Sequence, residues 1–182
     1  MNFETIVENY YAPLYRFAVS LTRRDHDAWD LTQQTFYIWA KDGQRLRDPV
    51  KTKAWLFTTL HRQFLQTRRH ETRFPHFEVS GMDEELPVIE PSTVAQMDAE
   101  TVLAALHRLD DTFRAPLALF FLEGLSYQEI STVLEIPAGT VMSRLSRGKD
   151  QLRRALVASS LAADGKVVPW TAAPSTHRDP HG

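Results

Sequence analysis

The sequence contains no cysteine, and this absence excludes disulfide bridges, thiolate metal sites and thiol nucleophiles. It also lacks any apolar run near the ~18 residues that a membrane-spanning helix needs. Its first residues include Glu4 and Glu8, where a secretory signal peptide would carry basic residues. These absences predict a cytoplasmic protein that does not insert into a membrane.

Motifs for catalysis and for cofactor binding are missing as well. The 7 histidines are scattered, and none belongs to an H-E-x-x-H pattern or to a nucleophile motif. No glycine-rich phosphate loop is present, and His177 with His181 is better explained as part of a solvated tail than as a metal site. We therefore predict a protein that is not an enzyme and that has no metal and no cofactor.

The net charge of -2 hides a segregation of charge along the chain. The stretch from Lys41 to Arg73 is strongly basic, residues 74–100 carry acidic side chains without Lys or Arg, and the last predicted helix is basic again. Two basic segments joined by an acidic one are typical of two modules that each face a polyanion.

The spacing of apolar residues predicts an all-α fold with two small helical domains joined by a flexible acidic linker. Residues 1–73 form the first domain, 74–92 the proline-bearing linker, 93–158 the second domain and 159–182 a disordered tail. In the first domain we expect helices over Tyr10 to Leu21, around Ala28 to Ile38 and over Ala54 to Arg69. Pro13 suits the start of the first helix, or a kink in it.

The second domain contains the pattern of a helix-turn-helix. Ser126 and Glu129 form a capping box that starts one helix, and Glu135, Ile136 and Pro137 form the turn before the next. Hydroxyl and guanidinium groups at the start of such a second helix suit phosphates and base edges in the DNA major groove. The predicted DNA-facing positions there are Thr140, Met142, Ser143, Arg144 and Arg147. The alternative is an ordinary helical hairpin with a solvated basic face.

Five segments resemble one known family, and those of the first domain follow one another in the expected order. Two segments lie in the second domain, over residues 122–131 and 136–147. Three segments lie in the first domain, and they are Tyr11-Ala-Pro-Leu-Tyr-Arg16, Asp27-Ala-Trp-Asp-Leu-Thr-Gln-Gln-Thr-Phe36 and Lys53-Ala-Trp-Leu-Phe57. Together they resemble the extracytoplasmic-function (ECF) sigma factors, the small promoter-specificity subunits of bacterial RNA polymerase. The resemblance covers residues 3 to about 157, with a region 2-like and a region 4-like domain.

The resemblance implies partners and site residues. The partners are core RNA polymerase, bound through the coiled coil of its largest subunit, promoter DNA, and an anti-sigma factor. The polymerase would contact Asp30, Gln33, Gln34, Phe36 and Tyr37. The single strand of the -10 element would lie along a basic groove formed by Arg45, Arg47, Lys51, Lys53 and Arg62. The helix-turn-helix would bind the -35 element as a duplex.

Four residues depart from the family pattern. Trp29 and Gln34 stand where relatives commonly have acidic residues, so the polymerase-facing helix is less negative than usual. Arg62 replaces a usual Asn, and Met142 replaces a usual basic residue. The promoter preference of relatives therefore does not transfer to this chain.

Two other functions compete with that of an initiation factor. A stand-alone helix-turn-helix regulator would need a dimer or ligand domain, whereas residues 1–73 are basic and aromatic. A decoy that binds polymerase without starting transcripts is the third hypothesis, because Arg62 and Met142 lie at predicted DNA-facing positions.

Overall fold

The structure is a computed structural model that describes residues 2–43, 46, 48–71 and 99–163. In these residues all regular structure is helical, in seven α-helices and without a strand. The all-α prediction is therefore confirmed. The predicted linker and most of the predicted tail lie outside the described residues. No helix in the described part is both long enough and apolar enough to cross a membrane.

Helix α1 is longer than the sequence pattern predicted. It spans Phe3–Thr22, and Asn2 caps it, since the Asn2 side chain accepts a 2.8 Å hydrogen bond from the Thr5 N–H. Pro13 lies inside the helix, so the prediction that it marks the start is wrong. Asn at the cap position supplies the acceptor that the first turn needs, which lets the helix begin two turns earlier.

Helices α2 and α3 complete the N-terminal bundle, which we define as α1 to α3. Helix α2 spans Asp25–Asp42 and α3 spans Pro49–Glu71, more than a turn earlier than the predicted start at Ala54. Proline suits this first position because its missing N–H would have no helical partner there. The three helices pack on one another around buried Phe17, Phe57 and Leu60.

The C-terminal unit, α4 to α7, contains the predicted helix-turn-helix. Helix α4 spans Ala99–Leu106, α5 Asp111–Phe121, α6 Tyr127–Leu134 and α7 Ala138–Ala163. The Ser126 hydroxyl accepts from the Glu129 N–H at 3.3 Å, and the Glu129 carboxylate accepts from the Ser126 N–H at 2.8 Å. The predicted capping box is confirmed, and so is the buried face of the second helix, formed by Val141, Leu145, Leu152 and Leu156.

The bundle and the C-terminal unit pack directly against each other. Helix α1 contacts α4 and α5, α3 contacts α6, and the buried apolar residues of both parts form a continuous cluster. The Arg114 side chain is 2% exposed at this junction. It donates hydrogen bonds to the backbone carbonyls of Leu106 and Leu109 in its own unit and of Leu21 at the end of α1. The arrangement is therefore held by backbone-directed hydrogen bonds as well as by apolar contact.

A close contact between α5 and α7 gives a test of this packing. A Cβ on Gly148 would lie 2.8 Å from Leu117 Cδ1 and 3.1 Å from Phe113 Cβ, whereas a Cβ on Gly139 would meet no atom within 4 Å. We expect Gly148→Ala to lower the free energy of unfolding by about 1–3 kcal/mol through overpacking. Gly139→Ala, the matched control in the same helix, is expected to raise it by up to about 1 kcal/mol. Urea denaturation measures both, and a Gly148→Ala variant as stable as the wild type would contradict this packing.

Candidate functional site

The predicted -35-binding residues lie together at the start of α7. Met142 is 55% exposed, Ser143 and Arg147 are exposed, and Thr140 and Arg144 are half-buried. The Ser143 hydroxyl donates to the Thr140 carbonyl at 3.0 Å. The opposite face of α7 is anchored in the core, so this first stretch of the helix presents polar and cationic groups to the outside. Such a face can approach a polyanion without disturbing the packing.

The predicted -10-binding residues are not all placed together. Arg45 and Arg47 lie outside the described residues. Lys51 is exposed and Lys53 half-buried near the start of α3, while Arg62 lies 11 positions beyond Lys51, which is about 16 Å along the helix axis. Arg62 is also engaged, because its Nε donates to Glu135 Oε2 at 2.8 Å and its Nη2 to Glu135 Oε1.

The predicted polymerase-binding residues lie on one face of α2, with one exception. The exposed side chains are those of Asp30, Gln33, Gln34 and Tyr37. They are three or four residues apart, as neighbours on one helix face are. Phe36 is only 6% exposed, because Phe3 and Tyr11 pack on its ring. Phe36 therefore supports this surface from inside, and of the five predicted polymerase contacts it is the one whose side chain the fold buries. Trp29, 46% exposed, adds an apolar group to the helix.

A groove of about 710 Å³ runs beside this face of α2. Its walls are the four exposed α2 residues, the end of α3 and the start of α5. Arg68 of α3 donates to Asp111 of α5 at 2.6 Å across the groove, and Leu31 and Phe64 add apolar lining. Both halves of the molecule thus border the predicted polymerase-binding surface.

Ion pairs between the halves were not predicted from the sequence. Arg16 forms a two-point pair with Glu123, at 2.8 Å from Nε to Oε1 and 3.0 Å from Nη2 to Oε2. Burial raises the pKa of Glu123, although the hydrogen bond from Arg16 opposes the shift. The hydrogen bond from Arg62 lowers the pKa of Glu135. Partners far apart in the chain leave no local pattern, and neither Glu123 nor Glu135 lies in the acidic stretch of residues 74–100.

His61 is a further polar residue at this junction. It is half-buried in α3, beside Glu135 and Arg144 of the C-terminal unit. Burial lowers the pKa of His61 to about 4, with Glu135 acting against the shift and Arg144 adding to it. The imidazole is therefore neutral at pH 7, at a position where the charges of both Glu135 and Arg144 act on its pKa. Among the described residues no group of three His, Cys, Asp or Glu side chains could hold a metal ion.

Comparisons with known proteins identify both halves of the chain. The Sigma-70 region 2 family model matches residues 6–74, and the Sigma-70 region 4 model matches residues 99–152. The chain is similar to the ECF RNA polymerase sigma factor SigE of Mycolicibacterium smegmatis, with 32% identity over 157 residues, 84% of this chain and 60% of that protein. It is also similar to SigM of Bacillus subtilis, with 30% identity, covering 84% of this chain and 94% of SigM.

A solved structure shares the fold. The sigma factor RpoE of Bartonella quintana, crystallised with the anti-sigma factor NepR, superposes with a TM-score of 0.65 at 25% identity. The match covers 85% of this chain and 96% of RpoE. Because the region 2 model matches the N-terminal half, the alternative of a stand-alone regulator is excluded. The chain belongs to the ECF sigma factors, a family of transcription initiation factors rather than enzymes.

Proposed function

We propose that this chain is a cytoplasmic promoter-specificity subunit of RNA polymerase. Residues 1–73 bind core polymerase and the -10 element, residues 74–92 link the domains, and residues 93–158 bind the -35 element as duplex. The observation that carries this proposal is the start of α7, where hydroxyl, thioether and guanidinium groups are exposed behind a capped α6. Helices that enter the major groove read base edges with their first turns.

The polymerase side of the proposal rests on α2. Its exposed face combines one carboxylate, two amides and the 63% exposed Tyr37 beside a groove. Exposed aromatic residues at the centre of a polar surface are common anchors of protein interfaces. The coiled coil of the largest polymerase subunit is the proposed partner of this face.

An anti-sigma factor is a further proposed partner. The solved relative RpoE was crystallised with the anti-sigma factor NepR. In this chain the groove beside α2 has walls from both halves. A protein seated there would cover the proposed polymerase-binding face and hold the two halves together.

The duplex contact can be tested at Arg144 and Arg147. We expect Arg144→Ala/Arg147→Ala to abolish binding of -35 duplex, because each guanidinium that neutralises a phosphate releases a counterion. The slope of log affinity against log salt should fall by about one for each phosphate that is no longer neutralised by a guanidinium. Fluorescence anisotropy on a labelled duplex, at several salt concentrations, measures both changes.

Arg154→Ala is the control for this experiment, because it removes one charge from the same helix two turns further along. Binding to core polymerase should be unchanged in all these variants. Duplex binding that survives the double substitution with an unchanged salt slope would refute the assignment of the recognition helix.

The polymerase contact can be tested at Tyr37. We expect Tyr37→Ala to weaken binding to purified core polymerase by about tenfold or more, as for truncation of a central aromatic anchor. Its binding to -35 duplex should not change. Met142→Ala is the reciprocal control, since it removes an exposed apolar side chain from the proposed DNA-facing surface and should weaken duplex binding alone. Equal core affinities for Tyr37→Ala and wild type would contradict the assignment of Tyr37 as an anchor of the polymerase contact.

A further inference from the structure

The first turns of α7 expose a stripe of side chains that extends beyond the residues predicted from the sequence. Over residues 138–150 the exposed members are Gly139, Met142, Ser143, Ser146, Arg147 and Asp150. They are one, three or four positions apart along the chain, as residues on one helix face are. Val141 and Leu145 anchor the opposite face in the core. Ser146 therefore belongs to the proposed DNA-facing surface, although the sequence did not indicate it.

Met142 lies in an uncharged part of this stripe. Its side chain is 55% exposed. Its neighbours on the helix surface, three and four positions away, are Ala138, Gly139, Leu145 and Ser146. Arg144 follows two positions later and therefore points about 160° away from Met142 around the helix axis. An apolar side chain among uncharged neighbours does not suit a phosphate, but it suits an apolar group on a base edge.

The adjacent Ser143 has no free donor for a base. Its hydroxyl donates to the Thr140 carbonyl at 3.0 Å, so its oxygen remains available only as an acceptor. Guanine presents only the acceptors N7 and O6 in the major groove, whereas an A·T pair presents an amino donor and a methyl group. Ser143 and Met142 together therefore suit an A·T pair better than a G·C pair.

Gly139 adds an independent observation on the same face. It lies three positions before Met142 within α7, where glycine is less favourable than alanine. A Cβ at this position would meet no atom within 4 Å, so the packing of the chain does not require glycine. The missing side chain is instead explained by a partner that approaches the helix closely from outside.

We propose that Met142 reads the 5-methyl group of one thymine in the -35 duplex, and that Gly139 allows the close approach this contact needs. Thymine is the base that presents an apolar group in the major groove. The flexible thioether chain of methionine adapts to such a group. A basic side chain at this position would favour guanine, so the departure at Met142 changes which base is selected. The inference rests on the proposed function for the identity of the DNA element.

Replacing thymine by uracil tests the contact, because the exchange removes the methyl group and keeps every hydrogen-bonding group of the base. The complex of the full chain with core polymerase first selects fragments from a pool of duplexes with a randomised window. Each thymine of a selected fragment is then replaced singly by deoxyuridine, and the affinity of the complex is measured by fluorescence anisotropy. We expect a loss of about three- to fivefold at one -35 position, as for one buried methyl group.

Variants of the chain assign this loss to one side chain. Met142→Ala should bind the thymine and the uracil fragments equally at that position, and Met142→Arg should prefer guanine there. Met142→Leu keeps an apolar side chain and should keep the difference between thymine and uracil. Leu65→Ala, which removes a partly exposed apolar side chain from α3, is the control and should also keep it. The salt slope should not change in Met142→Ala, since no phosphate loses its counter-charge.

Gly139→Ala tests the close approach. Its affinity for the selected fragment should fall by about threefold or more, because the added methyl group holds the helix away from the base edges and the methyl contact is lost. The free energy of unfolding should rise in the same variant, so the loss of affinity does not come from misfolding. Gly139→Ala that binds the fragment as tightly as the wild type would refute the close approach.

The outcomes separate this inference from the proposed function. If the complex enriches fragments with two spaced elements, but wild type and Met142→Ala respond alike to uracil at every position, the reading of thymine is overturned while the proposed function stands. Selected fragments without a thymine in the -35 element would overturn it as well. If the complex enriches no fragment, the proposed function fails, and this inference fails with it.

Discussion

The buried guanidinium of Arg114 is the contact on which the rest of the arrangement depends. A charge removed from water is tolerated only where hydrogen bonds replace its hydration. Arg114 finds them in three backbone carbonyls and in Asp111 Oδ1 at 2.6 Å. One of these carbonyls, that of Leu21, belongs to the last turn of α1, where helical carbonyls have no partner of their own. The same contact thus gives the Leu21 carbonyl at the end of α1 a hydrogen-bond donor, and it fixes the C-terminal unit against α1.

This junction decides which surfaces face outward. Because α1 is fixed against α4 and α5, α6 meets α3, and the turn after α6 brings Glu135 to Arg62. The start of α5 comes beside the exposed face of α2 and closes one side of the groove there. The start of α7 keeps Met142, Ser143 and Arg147 exposed. Ion pairs between arginines of the bundle and carboxylates of the other unit are therefore part of the fold.

The sequence predicted the features that local spacing determines. The capping box at Ser126, the buried stripe of α7 and the helical class follow from residues within a few positions of each other. The sequence did not indicate what covers the Phe36 ring. The predicted start of α1 was Tyr10, so Phe3, which packs on that ring, was left out of the helix. The pairs of Arg16 with Glu123 and of Arg62 with Glu135 join residues far apart in the chain, and no local periodicity marks them.

In vitro transcription tests the central claim most directly. Purified core polymerase from the same source is incubated with genomic promoter fragments, with and without this protein, and the 5' ends of new transcripts are mapped. We expect new start sites that share two spaced elements and that appear only when the protein is present. An unchanged set of 5' ends, although the protein binds core polymerase, would contradict it and would favour a decoy.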